Sequence, residues 1–256
     1  MLVLVRSIGF NIVFYATLVI WLIAALPTLM MPYRAIVAVA KWWGRYNLFL
    51  LRAICGLGAE FRGLERLPPG ACLVAAKHQS AWETFALLWM FSDPAFILKR
   101  ELQWLPVYGW FSMKARMIPV DRRAGVRGLR AMYARARKEF ARGRQIVIFP
   151  EGTRRPPGAE PAYKHGIAQL YAATGVPCVP IALNSGLYWP RRSMMRRPGT
   201  IVVEVLDPIP AGLDRREFMA RLQDSVEAAT SRLVAEGEAD LARASSTPPA
   251  PSPGRP

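Results

Sequence analysis

Beyond Phe61, short apolar runs alternate with stretches of helical periodicity, and that alternation restricts the fold more than any other feature of the chain. Residues 71–76, 95–98, 117–120, 145–149, 178–183 and 200–206 read as strands. Between them, residues 82–91, 126–142, 167–173 and 215–235 read as helices, and in the second of these Val126, Leu129, Met132, Tyr133, Ala136 and Phe140 share one face. Strands separated by helices pair through crossovers rather than hairpins, so the expected architecture is an α/β domain with a largely parallel sheet flanked by helices. A chain of 256 residues can bury a full core in one large domain, or in one domain with an appendage.

The N-terminal part has a different character. Residues 8–31 are almost wholly apolar, interrupted by Asn11, Thr17 and Thr28. As a helix this stretch is roughly 36 Å long, against a hydrocarbon core of about 30 Å. Arg6 ahead of the run is also a signal-peptide feature, but the run is long for one and Leu26-Pro27 offers no small-residue cleavage site, so the expectation is a retained membrane segment. In the next helical stretch, 34–57, the residues Arg34, Lys41, Arg45 and Arg52 fall within a stripe roughly 40° wide at 100° per residue. Trp42, Trp43, Leu48, Leu50, Leu51 and Ile54 surround it, as on a helix lying in a membrane interface. The excess of Lys and Arg after the first segment points to the cytoplasmic side. Residues 1–57 are therefore read as a membrane-anchoring helical segment, 58–243 as the α/β domain, and the Pro-, Ser- and Ala-rich residues 244–256 as a disordered tail.

A net charge of +16 accompanies a hydrophobic content of 52%, which excludes a disordered basic tail protein. Such charge suits an anionic membrane surface or nucleic acid. A membrane-tethered nucleic-acid-binding protein is the rival class, but no aromatic residues are interleaved with the basic clusters, and nucleic acid is not the expected partner. Cys55, Cys72 and Cys178 lie in apolar contexts without C-x-x-C spacing and read as reduced core residues, so no metal or redox cofactor is indicated. No G-x-S-x-G elbow is present, which removes the commonest serine-hydrolase reading.

Four short motifs carry potential chemistry. In His78-Gln79-Ser80-Ala81-Trp82-Glu83 a histidine able to act as a base near neutral pH precedes a carboxylate able to orient it. The same residues fit a Ser-x-x-Glu capping box, which would leave Glu83 a purely structural part. Phe149-Pro150-Glu151-Gly152-Thr153-Arg154 follows a strand and offers a turn, a hydroxyl and a guanidinium suited to a phosphate. Ile118-Pro119-Val120-Asp121-Arg122-Arg123 releases Asp121 and Arg122 at a strand end as a second cationic contact, although taken singly a local Asp–Arg pair is the better explanation. Val176-Pro177-Cys178-Val179-Pro180 is a rigid loop feeding the next strand. His165 lacks an acidic neighbour other than Glu160 and reads as a loop or helix-start residue.

Taken together and in order, these motifs resemble the blocks of the glycerolipid acyltransferases, and more narrowly those of bacterial 1-acyl-sn-glycerol-3-phosphate acyltransferases. The His-x-x-x-x-Asp block is matched by His78 and Glu83, the Phe-Pro-Glu-Gly-Thr-Arg block at every position from Phe149 to Arg154, the Asp-Arg ending by Asp121 and Arg122, and the Val-Pro-x-x-Pro block by residues 176–180. Two departures stand out: Glu83 replaces the usual Asp, and Arg116 stands where a glycine is common, which leaves Lys114 a weak candidate for phosphate contact.

The resemblance implies an enzyme of the bacterial inner membrane with its catalytic domain on the cytoplasmic side, moving an acyl chain from acyl-CoA or acyl carrier protein to the sn-2 hydroxyl of lysophosphatidic acid. In that reading His78 is the general base, Glu83 orients it, and Arg122, Glu151, Gly152, Thr153 and Arg154 bind or shape the glycerol phosphate. The basic clusters, residues 114–144 and 191–197, would then meet anionic lipid, CoA phosphates or the carrier protein. A different lysophospholipid or an amino lipid is the alternative acceptor.

Overall fold

The computed structural model describes residues 1–246, with side chains to residue 243. Two helices, α1 (Leu2–Ala24) and α2 (Tyr33–Leu50), open the chain. A single turn of π-helix follows α2 and stops at Gly56, whose φ of 66° is a left-handed C-cap that a side chain would strain. The remaining elements are β1 (Leu57–Arg62), β2 (Cys72–Ala76), α3 (Glu83–Met90), β3 (Pro94–Lys99), α4 (Tyr108–Lys114), β4 (Ile118–Val120) and α5 (Gly125–Phe140). Then come β5 (Gln145–Ile148), α6 (Gly166–Thr174), β6 (Cys178–Leu183), α7 (Ser185–Tyr188), β7 (Gly199–Val205) and α8 (Arg215–Ser246).

The strands form one seven-stranded sheet in the order β1-β7-β6-β2-β5-β3-β4. Every neighbouring pair is parallel except β6 and β7, which are antiparallel. The expected α/β architecture is what the chain adopts. Strand periodicity assigns alternate residues of β2 to opposite faces. Cys72, Val74 and Ala76 pack with Phe10, Leu51, Phe85 and Leu87 on the α1–α2–α3 side, whereas Leu73 and Ala75 pack with Met132, Leu170, Phe218 and Leu222 from α5, α6 and α8. Helices on both faces leave β2 buried along its whole length.

The N-terminal helices are thus part of the core rather than an appendage: Phe10, Leu51 and Cys55 are as buried as the central strands. Arg196 fixes α1 in place through two hydrogen bonds. The Arg196 backbone N–H donates to Ser7 Oγ at 2.8 Å, and its guanidinium donates to Asn11 Oδ1 at 2.9 Å while lying 3.8 Å from the Trp189 ring centroid. The outward face of α1 is apolar, with Leu2, Val5, Ile8, Ile12, Val19 and Ile23 exposed, and the stretch 2–30 is long and apolar enough to cross a membrane by length and composition.

Several elements differ from the sequence-based expectation. Residues 57–62 form β1, which Gly58, Glu60 and Arg62 disguise because an edge strand needs no continuous apolar run. The helix expected over 34–57 ends at Leu50, α4 was not anticipated, and α8 continues through residue 246. Of the segment 244–256 read as a tail, residues 247–256 lie outside the described residues.

Gly44 sets the spacing of the first helical layer. A Cβ there would lie 2.5 Å from the Phe85 carbonyl oxygen, so only glycine lets α2 cross α3 so closely. Gly44→Ala must push α2 away from the helix that begins at Glu83. Thermal unfolding is expected to show a loss of about 1–3 kcal/mol, the usual cost of overpacking, and an unchanged melting temperature would refute the tight crossing.

Candidate active site

The C-terminal ends of β2, β4, β5 and β6 converge on one edge of the sheet, where open α/β sheets place their ligands. His78 stands two residues past β2, and Glu83 is the first residue of α3. His78 Nδ1 lies 3.2 Å from Glu83 Oε2. The Glu83 side chain is completely buried, and its carboxylate also accepts the backbone N–H of Gln79 (3.2 Å), the N–H of Ser80 (3.0 Å) and the Ser185 hydroxyl. Ser80 Oγ accepts the Trp82 N–H at 2.9 Å. The capping role and the His-facing role therefore coexist, because one carboxylate has lone pairs enough for both. With Nδ1 turned to a carboxylate, Nε2 is the imidazole nitrogen left for a substrate proton. The imidazole plane is further held by Phe149, stacked at 3.9 Å between centroids and 15° between planes.

The Phe149–Arg154 loop divides its side chains between interior and mouth. Glu151 turns inward, where Lys77 Nζ donates to it at 3.2 Å and to Glu227 of α8 at 2.7 Å; the Tyr163 hydroxyl also donates to Glu227 at 2.9 Å. Burial pushes the Glu151 carboxyl up from the ordinary range, and Lys77 opposes that rise. Glu151 thereby joins the end of β2 to the end of β5 from below and does not line the mouth. Gly152 has φ 66°, and a Cβ there would come within 3.4 Å of the Arg122 guanidinium, which donates to the Gly152 carbonyl at 2.6 Å. Thr153 is exposed. Arg154 is half-buried; its carbonyl accepts from Arg191 at 3.0 Å.

The mouth is strongly cationic. Arg122, Arg154, Arg191 and Arg192 gather there, and Gln79, Pro156, Pro157, Gly186, Arg191 and Arg192 line an adjoining cavity of about 320 Å³. Asp121 turns away from this group: it pairs with Arg100 at 2.6 Å and accepts the N–H groups of Arg123 and Ala124, contacts that hold its carboxyl below the usual range. Lys114 ends α4 ahead of β4, at the opposite end of that strand from Arg122. Arg116 adopts φ 56°, which explains the family's glycine there, and lies 4.4 Å from the Tyr33 ring centroid. Lys99, which sequence reasoning passed over, closes β3 on the same edge as His78 and is half-exposed.

Ser185 and Gln79 were likewise missed. Their signal exists only in three dimensions, since Ser185 reaches Glu83 across 102 residues and Gln79 accepts the Gly186 N–H at 2.9 Å. His165 sits at the start of α6, as its sequence context implied. The three cysteines are free and buried, and burial pushes the Cys72 thiol up to about 12, so it stays protonated. Among the described residues no cluster of His, Cys, Asp and Glu could hold a metal ion.

A histidine backed by a buried carboxylate, at the edge of an α/β sheet and beside a cationic mouth, is able to take a proton from a hydroxyl and to attract an anion. The sequence model of the family described as Acyltransferase matches residues 58–184. The 1-acyl-sn-glycerol-3-phosphate acyltransferase of Pseudomonas aeruginosa is 33% identical over 234 residues, covering 91% of each chain. The mouse 1-acyl-sn-glycerol-3-phosphate acyltransferase alpha is 29% identical over 186 residues, covering 70% of this chain and 65% of its own. The crystal structure of the 1-acyl-sn-glycerophosphate (LPA) acyltransferase, PlsC, from Thermotoga maritima shares the fold, with a TM-score of 0.75, 20% identity, and coverage of 90% and 96%. The chain belongs to the 1-acyl-sn-glycerol-3-phosphate acyltransferase family and is an acyltransferase enzyme.

The Lys77 network yields a stability prediction. Lys77→Met leaves Glu151 and Glu227 facing each other without their cation, and unfolding free energy should fall by about 3–5 kcal/mol. Because a folded-state carboxyl pKa raised above the unfolded value favours the protonated folded form, the deficit is full above that raised pKa and shrinks as pH falls toward the ordinary carboxylate range. Denaturation across that pH range checks both, and a pH-independent deficit would exclude the ionic explanation.

Proposed function

We propose that the enzyme transfers an acyl chain from a thioester, acyl-CoA or acyl carrier protein, to the sn-2 hydroxyl of 1-acyl-sn-glycerol 3-phosphate, forming phosphatidic acid. The observation that carries the reading is the His78–Glu83 contact beside an arginine-rich mouth. His78 Nε2 removes the acceptor's hydroxyl proton as that oxygen attacks the thioester carbonyl. The carbon–sulfur bond breaks, the ester forms, and the thiolate leaves with a proton returned from the imidazolium. Glu83 holds the Nδ1–H tautomer and steadies the imidazolium. Transfer is direct, so neither Ser80, engaged with Trp82, nor the buried cysteines are required as nucleophiles. Arg154 and Arg122 are assigned to the acceptor phosphate, with Gly152 and Thr153 shaping the approach. The relatives' names, which specify 1-acyl-sn-glycerol 3-phosphate, support the acceptor assignment.

The reading includes a place at the membrane. The end of α1 and the turn after it pack through Leu22, Ala25 and Leu29 against the connection between β3 and β4, where Trp104, Leu105, Trp110 and Met113 are exposed, and these side chains suit lipid better than water. Because α1 is bound along one side to the domain through Ser7, Phe10 and Asn11, it fits a helix seated in one leaflet, with the catalytic edge facing the cytoplasmic interface. A lysolipid could then present its headgroup to the mouth while its chain stays in the leaflet.

Transfer measured with lysophosphatidate and an acyl thioester should fall by at least ~10²-fold in His78→Ala with membrane association retained; undiminished transfer would overturn the base assignment. Arg154→Ala should raise KM for lysophosphatidate on the order of tenfold, as loss of a charged hydrogen-bonding partner does. A rise confined to the KM of the thioester would place Arg154 on the donor instead.

A further inference from the structure

A second cavity lies at the other edge of the sheet. It measures about 660 Å³ and is lined by α2 (Arg34, Val37, Ala38, Lys41, Trp42, Arg45), by Trp89 of α3, and by the loops that precede β3 and β5. β5 separates Gly143, on its rim, from Phe149 at the active site by about 20 Å of extended chain. The cavity is therefore not an extension of the acceptor site.

Its chemistry is one-sided. Arg34, Lys41, Arg45 and Arg142 line it, against a single acidic residue, Asp93. That carboxylate is already committed, accepting from Arg144 at 2.9 Å and from the Tyr33 hydroxyl at 2.7 Å. Arg142 is engaged with Glu139, and Lys41 donates to the Phe91 and Ser92 carbonyls at 2.6 and 3.2 Å, which leaves one ammonium N–H free. Arg34 and Arg45 are exposed and form no ion pair among the described residues; Arg34 hydrogen-bonds the Tyr33 side chain and feels the charge of Asp93, and Arg45 lies 5.8 Å from the Trp42 ring centroid. Between these cations Val37, Ala38, Trp42 and Trp89 supply apolar wall, and the buried indole N–H of Trp89 has no acceptor. An anion attached to an apolar body satisfies both halves of this lining. A free inorganic anion would leave the apolar wall uncovered.

The exposed face of α2 favours one source. Trp42 and Phe49 are exposed beside the basic stripe of Arg34, Lys41, Arg45 and Arg52, and this face borders α1, the helix assigned above to the leaflet. We propose that the cavity is a second lipid site, taking the phosphate headgroup of an anionic glycerophospholipid from the leaflet in which α1 sits. The proposal rests on the membrane seating read above, and it assigns the basic stripe of α2 a ligand distinct from the acceptor.

Flotation of the full-length protein with phosphatidylcholine vesicles, with and without phosphatidylglycerol, tests the site. Binding to neutral vesicles reports the seating of α1. A several-fold gain with the anionic lipid reports the site. Arg34→Gln/Arg45→Gln should lower the affinity for anionic vesicles on the order of tenfold, and so should Ala38→Phe, which fills the cavity without changing charge. Arg127→Gln/Arg130→Gln, an equal charge loss on the exposed surface of α5, should leave it unchanged, and matched melting temperatures confirm folding. Absence of flotation on any vesicle refutes the membrane seating. Flotation with an anionic preference that Ala38→Phe retains, or that Arg127→Gln/Arg130→Gln lowers equally, refutes the site while leaving the seating intact. Release by inorganic phosphate, but not by chloride at matched ionic strength, would show that the cavity takes free phosphate and would overturn the lipid assignment.

Discussion

The structure turns on a carboxylate that has no access to water. Burying an ionised Glu costs several kcal/mol unless its lone pairs are met, and Glu83 meets them with two backbone N–H groups, a hydroxyl and an imidazole. The partners come from two separate pieces of local structure: the turn after β2, which supplies both N–H groups and His78, and the start of α7 after β6, which supplies Ser185. Satisfying one buried charge therefore fixes the entry of α3, the exit of β6 and the orientation of the imidazole together. The extra methylene of Glu over Asp is absorbed because the side chain folds back from the first helical residue onto the turn preceding it.

Beneath this contact a second buried charge cluster holds the Phe149–Arg154 loop. Lys77 is the neighbour of His78 in sequence yet points the other way, into Glu151 and Glu227, as the alternation of an extended chain requires. The Phe-Pro-Glu-Gly-Thr-Arg stretch consequently has three separate tasks. Phe149 braces the imidazole, Glu151 locks the loop to β2 and α8, and Arg154 stays near the surface beside Arg122 and Arg191. Much of the rate advantage of such a site would come from holding the reacting groups in register, which is what rigid strand ends and buried ion pairs provide.

The N-terminal helices link this site to its surroundings. α1 and α2 cover one face of the sheet, so the exposed apolar surface of α1 is continuous with the layer that packs α3 and Glu83. Gly44 permits the close crossing, and Arg196 staples α1 to the loop before β7. α1 is apolar on nearly every side: its inward residues fill a protein core, and its outward ones are exposed.

The α/β class, six of the seven strand positions and the His78–Glu83 and Phe149–Arg154 motifs were legible in the chain itself, because strand and helix periodicities and contiguous motifs are local properties. β1 escaped notice because an edge strand with Gly58, Glu60 and Arg62 has no apolar run, and the reversed direction of β7 is not encoded by any pattern within it. The motifs likewise named Glu151 without its direction: its inward turn depends on Lys77 and Glu227, residues 74 positions before it and far along α8. Ser185 as a partner of Glu83, and the cationic cavity between α2 and the lower loops, arise from segments brought together across the sheet. Periodicity and motif spacing depend on neighbours along the chain, so they committed this protein to a sheet with a histidine at its edge. Which side chains satisfy a buried charge depends on neighbours in space, and only the folded sheet supplied those.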